Sequence, residues 1–229
     1  MPGYIIHLTA AQMVLEKYKQ KYTRKWDENA FLFGNLLPDT TSNKAVSHFR
    51  SPERYGKRIE YPELRPFIEK YVHLFNADDD SCFGYCYHLY VDRLFFKDYL
   101  PTVVTFLGED GKENDTIEGV KWAYVKKSGK TVPIESFLSE DYYYGDFTKM
   151  NNYLIERYNI PLELDLNVKN QGIEEVDYSD IEVVLKKLRG YLNMSYDELP
   201  ELNVFDLEDL LEFLEEIGRK WLGLKEENR

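Results

Sequence analysis

The chain has 229 residues, 41 Asp and Glu against 29 Lys and Arg, a formal charge of −12 at pH 7, and 43% hydrophobic and 15% aromatic residues. That length suits one substantial domain spanning 1–229, and so much apolar and aromatic content excludes a disordered chain. The acidity argues against a nucleic-acid coat or an anionic-membrane binder, both of which need positive faces.

In chain order, residues 4–22 read as a helix, followed by a loop-rich segment over 23–61 that carries Gly34, Pro38, Pro52 and Gly56. A second helix covers about 62–76 and a third about 80–99, stopped by Pro101. Residues 102–137 change character, with β-rich runs at 103–106, 120–125 and 131–132, which predicts short strands with one hairpin. Helices resume at about 146–158, 178–193 and 206–222, the last two joined by a segment containing Pro200. The fold class is therefore mainly α with a small β insertion. The last 33 residues hold eleven acids and four bases, net −7, which leaves −5 for the first 196. Leu207, Leu210, Leu211, Leu214, Ile217 and Trp221 fall on one side of the final helix, so its acids read as a solvated face.

Cys82 and Cys86 are too few for a disulfide scaffold and read as core packing on the third helix. No run approaches the ~20 apolar residues of a membrane span. With no basic-then-apolar leader after Met1-Pro2-Gly3, the expectation is a cytoplasmic protein with reduced thiols.

The four histidines fall in unlike settings. At about 100° per residue, His7 shares a stripe with Ala11, Val14 and Tyr18, opposite Gln12, Glu16, Lys19 and Gln20. His7 is thus a polar group on a buried face. The third helix is apolar on nearly every side, yet it carries His88 and Asp92 at i and i+4, one turn apart on one face. A buried ionised Asp costs several kcal/mol unless it is paired or metal-bound. The pair suits either two ligands of one ion or a His–Asp hydrogen bond between helices. Gly84, one turn earlier, leaves room on that face. His73 lies opposite the apolar stripe of Leu64, Phe67, Ile68, Tyr71 and Phe75, and should be exposed without a role. His48 sits in a loop, nine residues after Asp39.

These motifs occur in the order His7-Leu8, Phe33-Gly34-Asn35-Leu36-Leu37-Pro38-Asp39, Ser47-His48-Phe49 and Gly84-Tyr85-Cys86-Tyr87-His88-Leu89-Tyr90-Val91-Asp92. Over residues 1–100 this series resembles the zinc-dependent phospholipase C family, and within it a short bacterial, intracellular-looking branch. The family's all-helical fold is shared with alpha-toxin-type phospholipases and fungal zinc nucleases. The resemblance implies that Asp39, His48, His88 and Asp92 hold one Zn²⁺ or similar ion, and that Asp92 bridges to a second ion bound by His7. Departures are plain. There is no processed N-terminal Trp, and no histidine follows His88 to build a third pocket. Asp98 stands at the offset of one missing histidine and Asp146 can replace another ligand, so one or two ions are expected.

Such a site implies metal-dependent hydrolysis of a phosphoester through a metal-activated water. Asp39 serves as ligand or as general base. Arg50, Arg54, Lys57 and Arg58 either complement phosphate charge or form a solvated basic loop. A soluble phosphoester or detached lipid headgroup fits a chain that lacks the secreted relatives' membrane-binding module. The alternative is a non-catalytic, metal-stabilised structural or partner-binding protein. An HD-type phosphohydrolase is excluded, because no adjacent His-Asp pair exists.

Overall fold

The computed structural model describes residues 3–21, 25–191 and 200–227, with side chains up to 223. Its helices are α1 (Tyr4–Lys21), α2 (Glu28–Leu36), α3 (Lys44–Ser47), α4 (Leu64–Lys70), α5 (Val72–Asn76), α6 (Asp80–Leu94), α7 (Leu100–Val103), α8 (Ile134–Phe137), α9 (Tyr143–Arg157), α10 (Ile181–Tyr191) and α11 (Leu207–Glu227). Strands β1 (Val104–Leu107), β2 (Trp122–Val125) and β3 (Lys130–Pro133) form one antiparallel meander in the order β1-β2-β3. The fold is mainly helical with a small β insertion, as the sequence patterning indicates.

Helix α6 is the axis of the core. It starts at Asp79, whose side chain accepts from the Cys82 N–H, and it is buried from Asp80 to Asp92. Cys82 and Cys86 are buried within it as free thiols, and burial pushes both thiols well up from their ordinary range. The Tyr87 hydroxyl donates to the Ala10 carbonyl of α1. The Trp221 ring of α11 sits 5.3 Å from Tyr87 and 5.2 Å from Tyr90, so the apolar side of the acidic terminal helix docks on α6.

Two expectations about the helices are corrected, while the strands fall on the three predicted runs. Within the segment read as loop lies α2, a nine-residue helix capped by Asp27, whose carboxylate accepts from the Ala30 N–H. Its sequence, rich in aromatics and containing Gly34 and Asn35, shows no amphipathic period because nearly every face is buried. Pro101 does not end the third helix. The chain widens into a π turn over Phe95–Tyr99 and re-enters α7 with Pro101 in its first turn, where the missing N–H costs no hydrogen bond. The strands form a three-stranded meander. Its tight turn uses Gly129 at φ 67°, and Val125 pairs with both Val104 and Lys130. Ile68 departs from the predicted stripe as well and is 40% exposed.

Gly84 does not leave an open space. A Cβ there would collide with the Phe31 carbonyl oxygen and stand 2.9 Å from the Asn35 nitrogen, while a Cβ on Gly34 would collide with the Ser81 carbonyl. The two glycines face each other's helices at the α2–α6 crossing and let the backbones touch. Gly84→Ala is therefore expected to lower stability by about 2–3 kcal/mol, since backbone cannot yield as a side chain can. An unfolding free energy from urea titration lowered by less than about 0.5 kcal/mol would contradict the close crossing.

Candidate metal centre

The crossing of α2 and α6 positions the first ligand. His88, one turn beyond Gly84, donates its Nδ1–H to the Asn35 carbonyl oxygen at 2.7 Å. A backbone carbonyl only accepts, so this bond fixes the proton on Nδ1 and leaves the Nε2 lone pair free. His48 is fixed by a parallel relay. The Ser47 hydroxyl spends its one proton on the Pro38 carbonyl at 2.8 Å, so at 3.0 Å from His48 Nδ1 it can only accept. Tyr85 of α6 donates to the Ser47 carbonyl at 2.6 Å and ties this loop to the central helix. Immediately after His48 the chain turns through Phe49 at φ 47°, a left-handed conformation that costs a non-glycine residue about 1–2 kcal/mol. Phe49 is held there by its carbonyl, which accepts from the Glu63 N–H at 2.9 Å, and by ring contact with Phe67.

The result is that His48 Nε2 and His88 Nε2 face each other at 3.2 Å, lone pair to lone pair. Burial pushes the His48 imidazole down to about 4 and the His88 imidazole well below its ordinary value, so both rings are neutral near pH 7. Two carboxylates converge on the same point. Asp92 Oδ2 lies 3.4 Å from His48 Nε2 and 3.8 Å from His88 Nε2, and Asp39 Oδ1 lies 3.5 Å from His48 Nε2. Burial alone would raise both carboxyls. The imidazoles around them outweigh it and hold both below the usual carboxylate range, helped at Asp39 by the Lys44 ammonium at 2.6 Å.

These residues fit a divalent ion. Bonds of about 2.0–2.1 Å to nitrogen and oxygen imply donor–donor edges of about 3.3–3.4 Å in a tetrahedron, against the observed 3.2–3.8 Å. Four donor–donor edges here are thus of ion-binding length, and Asp39, His48 and His88 offer donors all within 4.8 Å of one another, with two second-shell acceptors behind the imidazoles. A second position lies on the other side of Asp92. His7 stacks on His88 with ring centroids 3.7 Å apart and planes 8° apart, and its Nε2 is 3.2 Å from Asp92 Oδ1. That distance is short, but His7 Nδ1, His7 Nε2 and Asp92 Oδ1 have no well-angled hydrogen-bond partner among the described residues. Unpartnered polar atoms in a dry core are costly, and a cation between them removes the cost. The described residues thus contain two overlapping potential ligand groups, His7–His88–Asp92 and Asp39–His48–His88.

Compared against protein families, curated proteins and solved structures, the chain matches none of them significantly. The likeness to the phospholipase C family therefore rests on its motifs.

The other residues singled out by sequence sit elsewhere. Asp146 is fully buried, but its carboxylate accepts the backbone N–H groups of Asn203, Val204 and Phe205 and faces Lys149; it anchors the segment before α11. Asp98 is exposed on the π turn. Arg50 pairs with Glu60 at 2.7 Å, and Arg54 lies over the Tyr61 ring and donates to the Ile59 carbonyl. His73 is exposed, as expected.

Sequence reasoning missed Asn35 and Lys44, and assigned Ser47 no part beyond its motif. Asn35 acts through its carbonyl oxygen, which no residue type signals. Lys44, five residues after Asp39, is legible only once α3 folds back. The side of the centre nearest solvent, its mouth, is marked by Lys44, whose side chain is 26% exposed against 3% for Asp39. Asp39 is the most exposed of the centre's candidate ligands, and its charge, together with burial, pushes the nearby Tyr4 phenol up to about 12.

Two outcomes follow. Elemental analysis should find about one to two zinc ions per chain, falling sharply in His88→Ala and unchanged in His73→Ala; metal-free wild type after zinc dialysis would refute the centre. Asp146→Ala should cost about 2–3 kcal/mol, because a buried charged acceptor of three N–H groups is lost, with no change in zinc content.

Proposed function

We propose that the chain is a metal-dependent hydrolase of phosphoester bonds, of the zinc-dependent phospholipase C type that its motifs resemble. The observation that carries this reading is the pair of imidazole lone pairs held 3.2 Å apart between two buried carboxylates. Asp39, His48, His88 and Asp92 would hold the first ion, and His7 with Asp92 a second. An ion bound there lowers the pKa of a coordinated water and supplies a nucleophile near neutral pH, and it draws charge from a phosphoryl oxygen.

The protein's own groups divide the remaining work. The Asn35 carbonyl and the Ser47 hydroxyl hold the two imidazoles in the ligating tautomer, so no reorganisation precedes catalysis. Asp39, at the mouth and close to Lys44, is the carboxylate best placed to take a proton from the attacking water. Lys44 is a quarter exposed, and it is the cation nearest the mouth that can meet a phosphoryl oxygen once Asp39 turns to another partner. No helix among the described residues is long and apolar enough to cross a membrane. With the charge of −12, that favours a soluble phosphoester or a detached lipid headgroup.

One observation favours the structural alternative. If Asp39 and Asp92 both bound the ion held by His48 and His88, its four positions would be filled by protein, and closed four-ligand sites are the structural kind, whereas catalytic zinc keeps an open position. Turnover separates the two readings. Zinc-loaded protein is expected to cleave bis-p-nitrophenyl phosphate or p-nitrophenyl phosphate, with at least a hundredfold loss in Asp39→Asn. A rate equal to that variant's with zinc, manganese and cobalt, alongside an unfolding free energy raised by about 2.7 kcal/mol at a free zinc concentration of about 100 Kd, would establish the structural role instead.

A further inference from the structure

Beside the metal centre, a cleft of about 230 Å³ opens between the β insertion and the helical body. One wall carries Arg50, Lys57 and Arg58, a cationic corner in a chain of net charge −12. Two of the three cations are matched, Arg50 by Glu60 at 2.7 Å and Lys57 by Asp115 at 2.9 Å. Arg58 has no carboxylate partner among the described residues. It donates through Nη2 to the Ile117 carbonyl at a long 3.4 Å, and its Nε is buried without an acceptor. The other wall is aromatic. Phe106, Phe137, Tyr143 and Tyr144 form a chain of ring contacts with centroids 5.4–5.7 Å apart, and all four line the cleft. The Tyr143 hydroxyl is a second buried polar group with no partner among the described residues, on a side chain only 4% exposed.

A guanidinium fork with a free buried N–H recognises an oxyanion, and a wall of aromatic rings set edge to face and tilted to one another recognises a further ring. We propose that this cleft binds a small aromatic oxyanion, whose anionic head sits on Arg58 and whose ring lies against Phe106, Phe137 and Tyr143. A volume below the usual 300–1,000 Å³ of drug-sized sites limits the ligand to one or two fused rings. A polymer or a two-chain lipid does not fit. The site uses none of the five candidate metal ligands and stands independently of the hydrolase reading.

The probe is 2-naphthalenesulfonate, which has no phosphoester to cleave, titrated into full-length protein by isothermal calorimetry with and without EDTA. The expected result is one saturable site, unaffected by EDTA or by His88→Ala, and about tenfold weaker in Arg58→Met, the loss of one charged hydrogen bond. Neutral 2-naphthol and inorganic sulfate should each bind at least tenfold more weakly than the probe. Because Arg58 also meets the insertion, Tyr144→Ala, at an exposed position, tests the ring wall separately and should weaken binding several-fold with an unchanged circular dichroism spectrum. Equal affinity for sulfate would reduce the cleft to a basic patch, and equal affinity for 2-naphthol to an apolar one. No binding, or binding undiminished in both variants, would overturn the proposal.

Discussion

Asp92 places a carboxylate in the last turn of a helix that is buried from Asp80 to Asp92, and the rest of the site follows from what that charge requires. Taking one carboxylate out of water costs several kcal/mol even after relaxation. The imidazoles of His7, His88 and His48 offset that cost and hold the carboxyl below its usual range, yet the second-shell bonds of His48 and His88 turn lone pairs, not protons, toward Asp92. Asp39 adds a second negative charge, and Lys44 offsets only one of the two. One divalent cation at the meeting point of these groups balances both carboxylates and satisfies both lone pairs together. A hydrogen bond from His48 or His88 to a carboxylate would need an Nε2–H, which the Asn35 carbonyl and the Ser47 hydroxyl deny to those two rings.

That arrangement depends on backbone contact rather than on side-chain packing. Gly34 and Gly84 allow α2 to lie directly on α6, and the same contact brings the Asn35 carbonyl within 2.7 Å of His88. Side chains of any size at the crossing would lift α2 away, free His88 Nδ1 and release the tautomer. Stability and ligand geometry are thus set by the same two missing side chains, which is why a metal-site argument here cannot stop at the ligands.

The buried His7 and Asp92 of the candidate centre are legible in the sequence because burial of a polar residue is visible as a break in periodicity. His7 interrupts an apolar stripe and Asp92 an apolar helix, so each invites a question that hydrophobic pattern alone does not answer. The supporting shell was not legible. Helix α2 lacks an amphipathic period since it is enclosed by α1, α6 and α10, and its Gly34, with Pro38 just beyond it, reads as loop until the crossing is seen. Asn35 contributes a carbonyl that every residue possesses. Gly84 was read for room at the ligand face, whereas the space is filled by the Phe31 and Asn35 backbone. Asp146 shows the opposite failure. A buried acid signals that something is bound, and here the partner is three N–H groups of one chain segment.

The β insertion acquires a purpose from its seams. It meets the loop after His48 along one line, where the Arg58 N–H reaches the Asp115 carbonyl at 2.6 Å, the Ile117 N–H reaches the Gly56 carbonyl at 2.9 Å, and Lys57 bridges to Thr116. That loop begins at the strained Phe49, which sends His48 inward to the metal ligands and Arg50 outward to the cleft. A conformation that costs about 1–2 kcal/mol persists only where its surroundings over-determine it, and Phe49 is clamped by Glu63 on one side and Phe67 on the other. The two sites therefore share a rigid hinge point. The charge on Arg50 helps to keep the His48 imidazole neutral, after burial and Lys44, and the charge on Asp92 adds to the burial that raises the Tyr143 phenol on the cleft wall. His48 and Arg58 thus stand at the two ends of one eleven-residue stretch, which carries the strained Phe49, the cleft residue Arg50 and the seam with the insertion.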